Sequence, residues 1–398
     1  MKILSEQLTR ENEDYLTIPA IRKFAKQNKI KKISEYDRPE LIKELEDFGH
    51  LNPKNAEVLQ DWFEEVISEG IKTLYMVKAQ DIRGNYQKMR VTGMFNQYIT
   101  NKSGYISTTV AEKFLTLYKI KEYNTILGDV VRFSFVKKVC YQSRINENIS
   151  VIKIPIQIVL LLQCDIILIQ FKSKSGLYEY EEKLENVSET ITDGKLVTEC
   201  LKFITDNLKL NIKTSTTNKN TLYNLLIKYT QTPKIIKEKI NGLRDKIENI
   251  SEDIRYKLCK VNENNKQDII WDITNIIEKY ISINTEDKSI FIDDREAYPI
   301  KLISSDEEDS RVEQCSGNVE PLQTKSIFFD NKKMLQKSKQ CDGIILKYHR
   351  LDNKYFNNEV DVHIQVKSKY MVVKFTRYTM QEDIENVLNS IISSESKS

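Results

Sequence analysis

Glycine is scarce, with 11 in 398 residues, and the sequence holds no GxGxxG and no GxxxxGKS/T. Architectures that cradle a nucleotide phosphate in a glycine-rich loop are thereby disfavoured. Histidine is scarcer still, with three, at positions 50, 349 and 363, and there is no HExxH and no GxSxG. A serine or cysteine nucleophile would find few bases to activate it. The six cysteines (140, 164, 200, 259, 315 and 341) are widely spaced, without a CxxC pair. That pattern suits neither a disulfide framework nor a zinc ribbon and predicts reduced thiols in a cytoplasmic protein. Long apolar runs are missing too. The most apolar window, Val151 to Ile169, is interrupted by Lys153, Pro155, Gln157, Gln163 and Asp165, so it reads as two strands and not as a membrane span. The short apolar stretch after Lys2 gives way at once to charges, so no secretion signal is expected. Charge of one sign is lacking as well: 61 Lys and Arg face 58 Asp and Glu, a formal charge of +3.

What is present argues for packed cores. Forty per cent of residues are hydrophobic, with 20 Tyr and 14 Phe, enough apolar matter to exclude wholesale disorder, and the length suits two or three domains. From Leu16, Ile21, Phe24 and Ala25 recur at helical spacing with Pro19 near the helix start. A second helix follows a possible Asp37 N-cap, with Pro39 in its first turn, a stripe of Leu41, Ile42 and Leu45, and a stop at Phe48-Gly49. A third, Asn55 to Ser68, carries Val58, Trp62, Val66 and Ile67.

Charge singles out the first of these. Residues 21–32 contain Arg22, Lys23, Lys26, Lys29, Lys31 and Lys32 and no carboxylate. Such a local field can displace counterions from a phosphate backbone. The Leu-Thr start, the basic first helix, a constrained loop and the second-helix pattern ELI..L together resemble the SAP and HeH family of helix-extension-helix modules, over about residues 16–49. The resemblance implies DNA binding that reads backbone shape more than base sequence. Where the family usually carries a Gly-Lys pair before its second helix, Tyr36-Asp37-Arg38 stands here, with Arg38 as the available phosphate contact.

Beyond the helices, KTLYMVKAQ alternates as a strand, whereas MRVTGMFNQYI and the following SGYISTTVAEKFLTLYKI read as strand, turn and helix. Two stretches have matching texture. VVRFSFVKKV, VIKIPIQIVLLLQ and IILIQFKSKS precede a helical LVTECLKFITDNL; GIILKYHR, EVDVHIQVKS and MVVKFTRYT precede a helical EDIENVLNSII. Each predicts an antiparallel meander closed by a helix, and the pair suggests an internal duplication. Between them, Ile236, Ile240, Leu243, Ile247, Ile250, Ile254 and Leu258 fall close to a heptad after Thr232-Pro233, and Ile269, Ile273, Ile276 and Tyr280 repeat the spacing. A coiled-coil-like helical hairpin is expected, a candidate seam for a homodimer. The fold class expected is therefore α+β: a helical module at 1–70, a first α+β unit at 71–215, the hairpin at 216–285, and a second α+β unit at 286–398 with an acidic loop at 304–310.

One arrangement suggests chemistry. Asp342-Gly343 precedes a strand and Gln365-Val366-Lys367 lies 23 positions on, an order that resembles the PD-(D/E)xK nuclease superfamily in its glutamine variant. The resemblance implies Mg²⁺ held by Asp342 and Gln365, with Lys367 polarising water or phosphate. Strand alternation explains the same residues without a site, because Asp361, His363, Gln365 and Lys367 simply share one face. The reading that weighs most is a non-enzymatic nucleic-acid-binding protein, DNA first, using Arg22, Lys23, Lys26, Lys29, Lys31, Lys32 and Arg38, with no cofactor and no membrane partner. The alternatives are the Mg²⁺-dependent nuclease and a coiled-coil assembly scaffold.

Overall fold

The computed structural model describes residues 2–10, 15–30, 37–69, 73–99, 104–143, 149–181, 189–213, 215–259, 266–305, 311–317, 320–350, 358–377 and 379–395. In chain order the elements begin with α1 (Ile18–Gln27), α2 (Arg38–His50), α3 (Pro53–Ser68), β1 (Thr73–Lys78) and α4 (Lys88–Phe95). Next come β2 (Thr116–Thr125), β3 (Gly128–Gln142), β4 (Ile149–Leu161), β5 (Ile166–Phe171), β6 (Leu177–Glu179) and α5 (Asp193–Leu208). Then follow α6 (Ser215–Tyr229), α7 (Lys234–Asn241), α8 (Arg244–Asp253), α9 (Lys266–Asn284), β7 (Ala297–Ser305) and β8 (Arg311–Cys315). The last are α10 (Ser326–Asp330), α11 (Lys332–Ser338), β9 (Gly343–His349), β10 (Glu359–Val366), β11 (Met371–Phe375) and α12 (Gln381–Ser393). The class is α+β with antiparallel strands. Among the described residues no helix is long and apolar enough to cross a membrane.

The chain forms two compact units, residues 1–215 with 350–392, and residues 216–349 with 393–398. This differs from a reading in four consecutive segments. In the first unit β1 pairs antiparallel with β5 on one side and with β11 on the other, so the last two strands and final helix join the N-terminal half.

The first unit is a sheet in the order β2-β3-β4-β5-β1-β11-β10, with β6 added to β3. Its register follows from apolar alternation: Phe133 lies opposite Ile158 and Phe135 opposite Ile156. Ile158 in turn faces Ile169. These side chains form a core with Leu196, Val197, Cys200 and Ile204 of α5. The other face, through Val136 and Tyr118, shares a second core with Ile21 and Phe24 of α1, Leu41 and Leu45 of α2, and Phe63 and Val66 of α3. Phe24 stacks on Trp62 with centroids 4.3 Å apart. Burying an aromatic of this size contributes about 2 kcal/mol, so the three helices are anchored by apolar burial against the sheet.

Three local readings are corrected. The helix-like reading within residues 103–120 gives way to β2 from Thr116 onward, and the strand-like MRVTGMF is α4, whose Val91 and Phe95 are buried four residues apart. A β-bulge between Leu117 and Lys119 breaks the period-2 signal in β2. Gly49 does not end α2, which runs to His50. A Cβ there would lie 2.5 Å from Ile3 Cδ1 and 2.9 Å from Leu59 Cδ2, so the glycine serves close packing.

The second unit carries β8-β7-β9. It also holds α6, which buries Leu222, Leu225, Leu226 and Tyr229. The expected helical hairpin forms, but its first arm is broken between α7 and α8 at Gly242-Leu243. Its second arm does not bury the expected stripe, since Ile276 and Tyr280 are 54% and 61% exposed. The side chain of Leu258 lies outside the described residues, as do residues 306–310 of the expected acidic loop; Ser304 and Ser305 belong to β7.

Candidate nucleic-acid interface

Helix α1 is fixed at both ends by local chemistry. The Thr17 side chain accepts from the Ala20 N–H, and Pro19 occupies the first turn, where an N–H has no intrahelical partner. At the other end, the Asn28 N–H donates to Phe24 O and the Ile30 N–H to Ala25 O, with Lys29 between them at φ 56°. This is the Schellman arrangement, with lysine in the left-handed position glycine usually takes.

The burial of Ala20, Ile21, Phe24 and Ala25 orients the helix and leaves Arg22, Lys26 and Lys29 exposed. Steps of four and three residues keep these three on one edge. Lys26 and Lys29 have no carboxylate partner among the described residues. The remaining members of the predicted set are placed differently. Lys23 is half-buried, and its ammonium lies 3.7 Å from Met380 Sδ in a cavity of about 190 Å³ also lined by Trp62, Glu65 and Glu69. Arg38 turns back on the chain, donating from Nε and Nη2 to Thr9 O at 3.2 and 3.0 Å. Nη2 also reaches Arg10 O at 3.4 Å. It fastens α2 to the N-terminal segment. Lys31, Lys32 and Tyr36 lie outside the described residues.

The capping chemistry of α2 is complete. The Glu40 N–H donates to Asp37 Oδ1 at 3.0 Å, and the Asp37 N–H donates to Glu40 Oε2 at 3.1 Å, a reciprocal capping box. Asp37 and Glu40 therefore set the start of the second helix, and Arg38 and Pro39 occupy its first positions.

The second predicted constellation divides between units: Asp342 belongs to the second, Gln365 and Lys367 to the first. Asp342 is already satisfied. Lys219 Nζ lies 2.7 Å from Oδ1, and the Ser305 hydroxyl donates to Oδ2 at 2.7 Å. Burial alone would raise its carboxyl, but Lys219 and Ser305 outweigh it and hold the group below the usual carboxylate range. Gln365 lies opposite Val372 in the β10–β11 pair, on the half-buried face, while Val362 and Ile364 occupy the buried one. Lys367 is exposed at the following turn, its N–H donating to Tyr370 O at 2.9 Å. Among the described residues, no three His, Cys, Asp or Glu side chains cluster closely enough to hold a metal ion.

Sequence reasoning misses Arg132, in the middle of β3 and only 8% exposed. The signal was available in VVRFSFV, because Val130 and Val136 flank it on its own face and Val131, Phe133 and Phe135 line the other. A strand apolar on both faces is buried on both, so a charge within it is buried too.

No family model, curated protein or solved structure matches this chain.

Proposed function

We propose that this protein binds nucleic acid, DNA in the first place, through the exposed edge of α1 in its N-terminal helix-extension-helix. The observation that carries the reading is the alignment of Arg22, Lys26 and Lys29 on one exposed edge, with no carboxylate beside Lys26 or Lys29 among the described residues. Ammonium groups without counter-charges displace condensed cations from a phosphate backbone, and the gain grows with each contact. Lys31 and Lys32 follow directly in the sequence and add to the same charge. The family resemblance of this segment supports DNA over RNA and backbone over base recognition. The arrangement positions a duplex without reading its sequence.

The bland explanation is that Lys26 and Lys29 complement the carbonyl end of α1, a contribution of about 0.3–1 kcal/mol each. The paired substitution Lys26→Gln and Lys29→Gln separates the two. In filter-binding titrations at several salt concentrations, nucleic-acid binding predicts a roughly tenfold or greater loss of affinity at low salt and a slope of log K against log salt shallower by about two. The melting temperature should fall by no more than the helix-end contribution allows. Unaltered affinity and slope would reject the assignment. Cleavage of the DNA in Mg²⁺, abolished by Asp342→Ala, would transfer it to the nuclease reading.

A further inference from the structure

We propose that the cavity between α3 and the β2–β3–β4 face of the first unit is a binding site for a small carboxylate, anchored by the Arg132 guanidinium and completed by the Gln157 amide. The cavity has a volume of about 270 Å³ and is lined by Asp61, Glu64 and Glu65 of α3 and by Lys119, Lys121, Arg132, Ser134 and Gln157 of the strands, with Ile120 as its apolar element. The strand register builds it. Lys121 lies opposite Arg132 and Lys119 opposite Ser134 across β2–β3, while Gln157 lies opposite Ser134 across β3–β4.

Two polar side chains there are more than nine-tenths buried. Arg132 is 8% exposed, and its enclosed Nε makes no hydrogen bond. Gln157 is 6% exposed and lines the same cavity. A buried guanidinium without a counter-charge is costly.

The neighbouring charges do not relieve it. Lys119 and Lys121 engage Asp61 and Glu65, at 3.4 and 3.0 Å. Glu64 spends its oxygens on the Ile106 N–H and the Tyr118 hydroxyl. The Tyr123 ring lies 4.8 Å from Arg132 Cζ and covers it without supplying an acceptor. Arg132 is thus the cation of this cavity that lacks an anion.

A planar carboxylate matches the two-pronged donor set of a guanidinium. A phosphate dianion would meet the repulsion of Asp61 and Glu65 at the same cavity. The volume restricts the ligand to one of a few heavy atoms, with a polar end for Gln157 and Ser134.

The test titrates the full chain with acetate, propionate and inorganic phosphate at matched ionic strength, following the melting temperature and ligand saturation-transfer signals. Acetate or propionate should raise the melting temperature saturably. Arg132→Gln and Gln157→Leu should each weaken that effect about tenfold or more. Phosphate should be inert. Arg132→Gln removes an unpaired buried charge and is expected to fold, as circular dichroism would verify; were it not to fold, Gln157→Leu alone decides. Absence of a saturable carboxylate effect, equal affinity in the folded variants, or phosphate binding more tightly than the carboxylates would overturn the proposal.

Discussion

Glu64 is a carboxyl drawn inside the protein, 8% exposed. Burial pushes its titration up, against the lowering effect of the Ile106 N–H at 2.7 Å and the Tyr118 hydroxyl at 2.9 Å. Because the raised value belongs to the folded state, the ionised form is the disfavoured one. The penalty is present above the folded value and is relieved as pH falls through it toward the ordinary glutamate range. Glu64→Gln keeps an acceptor for Ile106, and the Tyr118 hydroxyl can turn to accept from the new amide. In urea titrations the variant should therefore match or exceed the native protein at neutral pH, and its advantage should shrink toward about pH 5. An advantage that grows on acidification would contradict this. Arg38 shows why single residues are hard to read from sequence. As a basic residue in a loop it reads as a phosphate contact, but its acceptors are the carbonyls of Thr9 and Arg10, 29 and 28 positions away. Lys26 and Lys29, whose exposure follows from helical periodicity alone, are placed as read.

Elements were more legible where one period dominates. The meander β3–β4–β5, the pair β10–β11 and helices α5 and α12 follow directly from apolar spacing. Helix α6 escapes that reading because its first half, STTNKN, is polar and its four buried apolar residues are crowded into the second. The break between α7 and α8 escapes it because a heptad pattern continues across Gly242, a residue that weakens a helix by about 1 kcal/mol relative to alanine. At the start of α2, by contrast, sequence and structure agree on Asp37 as the N-cap. Asp37→Ala removes the side-chain half of the capping box, leaving the backbone N–H of position 37 to donate to Glu40, and should lower stability by about 1 kcal/mol, whereas Asp37→Asn should retain most of it. Equal denaturant midpoints for the alanine and asparagine variants would show that the cap carries nothing.

At the scale of the whole molecule, the division into two units is the feature least visible in the sequence, since it depends on β1 pairing with β11 nearly three hundred residues away, as with Met76 and Met371. The cysteines report on it. Cys140 and Cys200 are buried in the first unit and Cys341 in the second, whereas Cys315 is exposed. Burial, the leading cause, pushes the Cys200 and Cys341 thiols far up, which suppresses the reactive thiolate. In native conditions a maleimide should modify Cys315 well before the three buried thiols. In pulse labelling across a urea gradient, Cys140 and Cys200 should become reactive at a common midpoint, whatever that of Cys341; separate midpoints, read by peptide mass spectrometry, would break the first unit apart.

The outermost strand of that unit has a consequence for behaviour in concentrated solution. Among the described residues no strand of the first unit lies beyond β2, which carries Lys119, Lys121 and Glu122 between tyrosine and isoleucine. Charged side chains along an edge strand disfavour the side-by-side approach of a second sheet. A sheet whose inner strands are as greasy as IQIVLL thus keeps, at its rim, a charged selvedge that denies other chains a template for stacking.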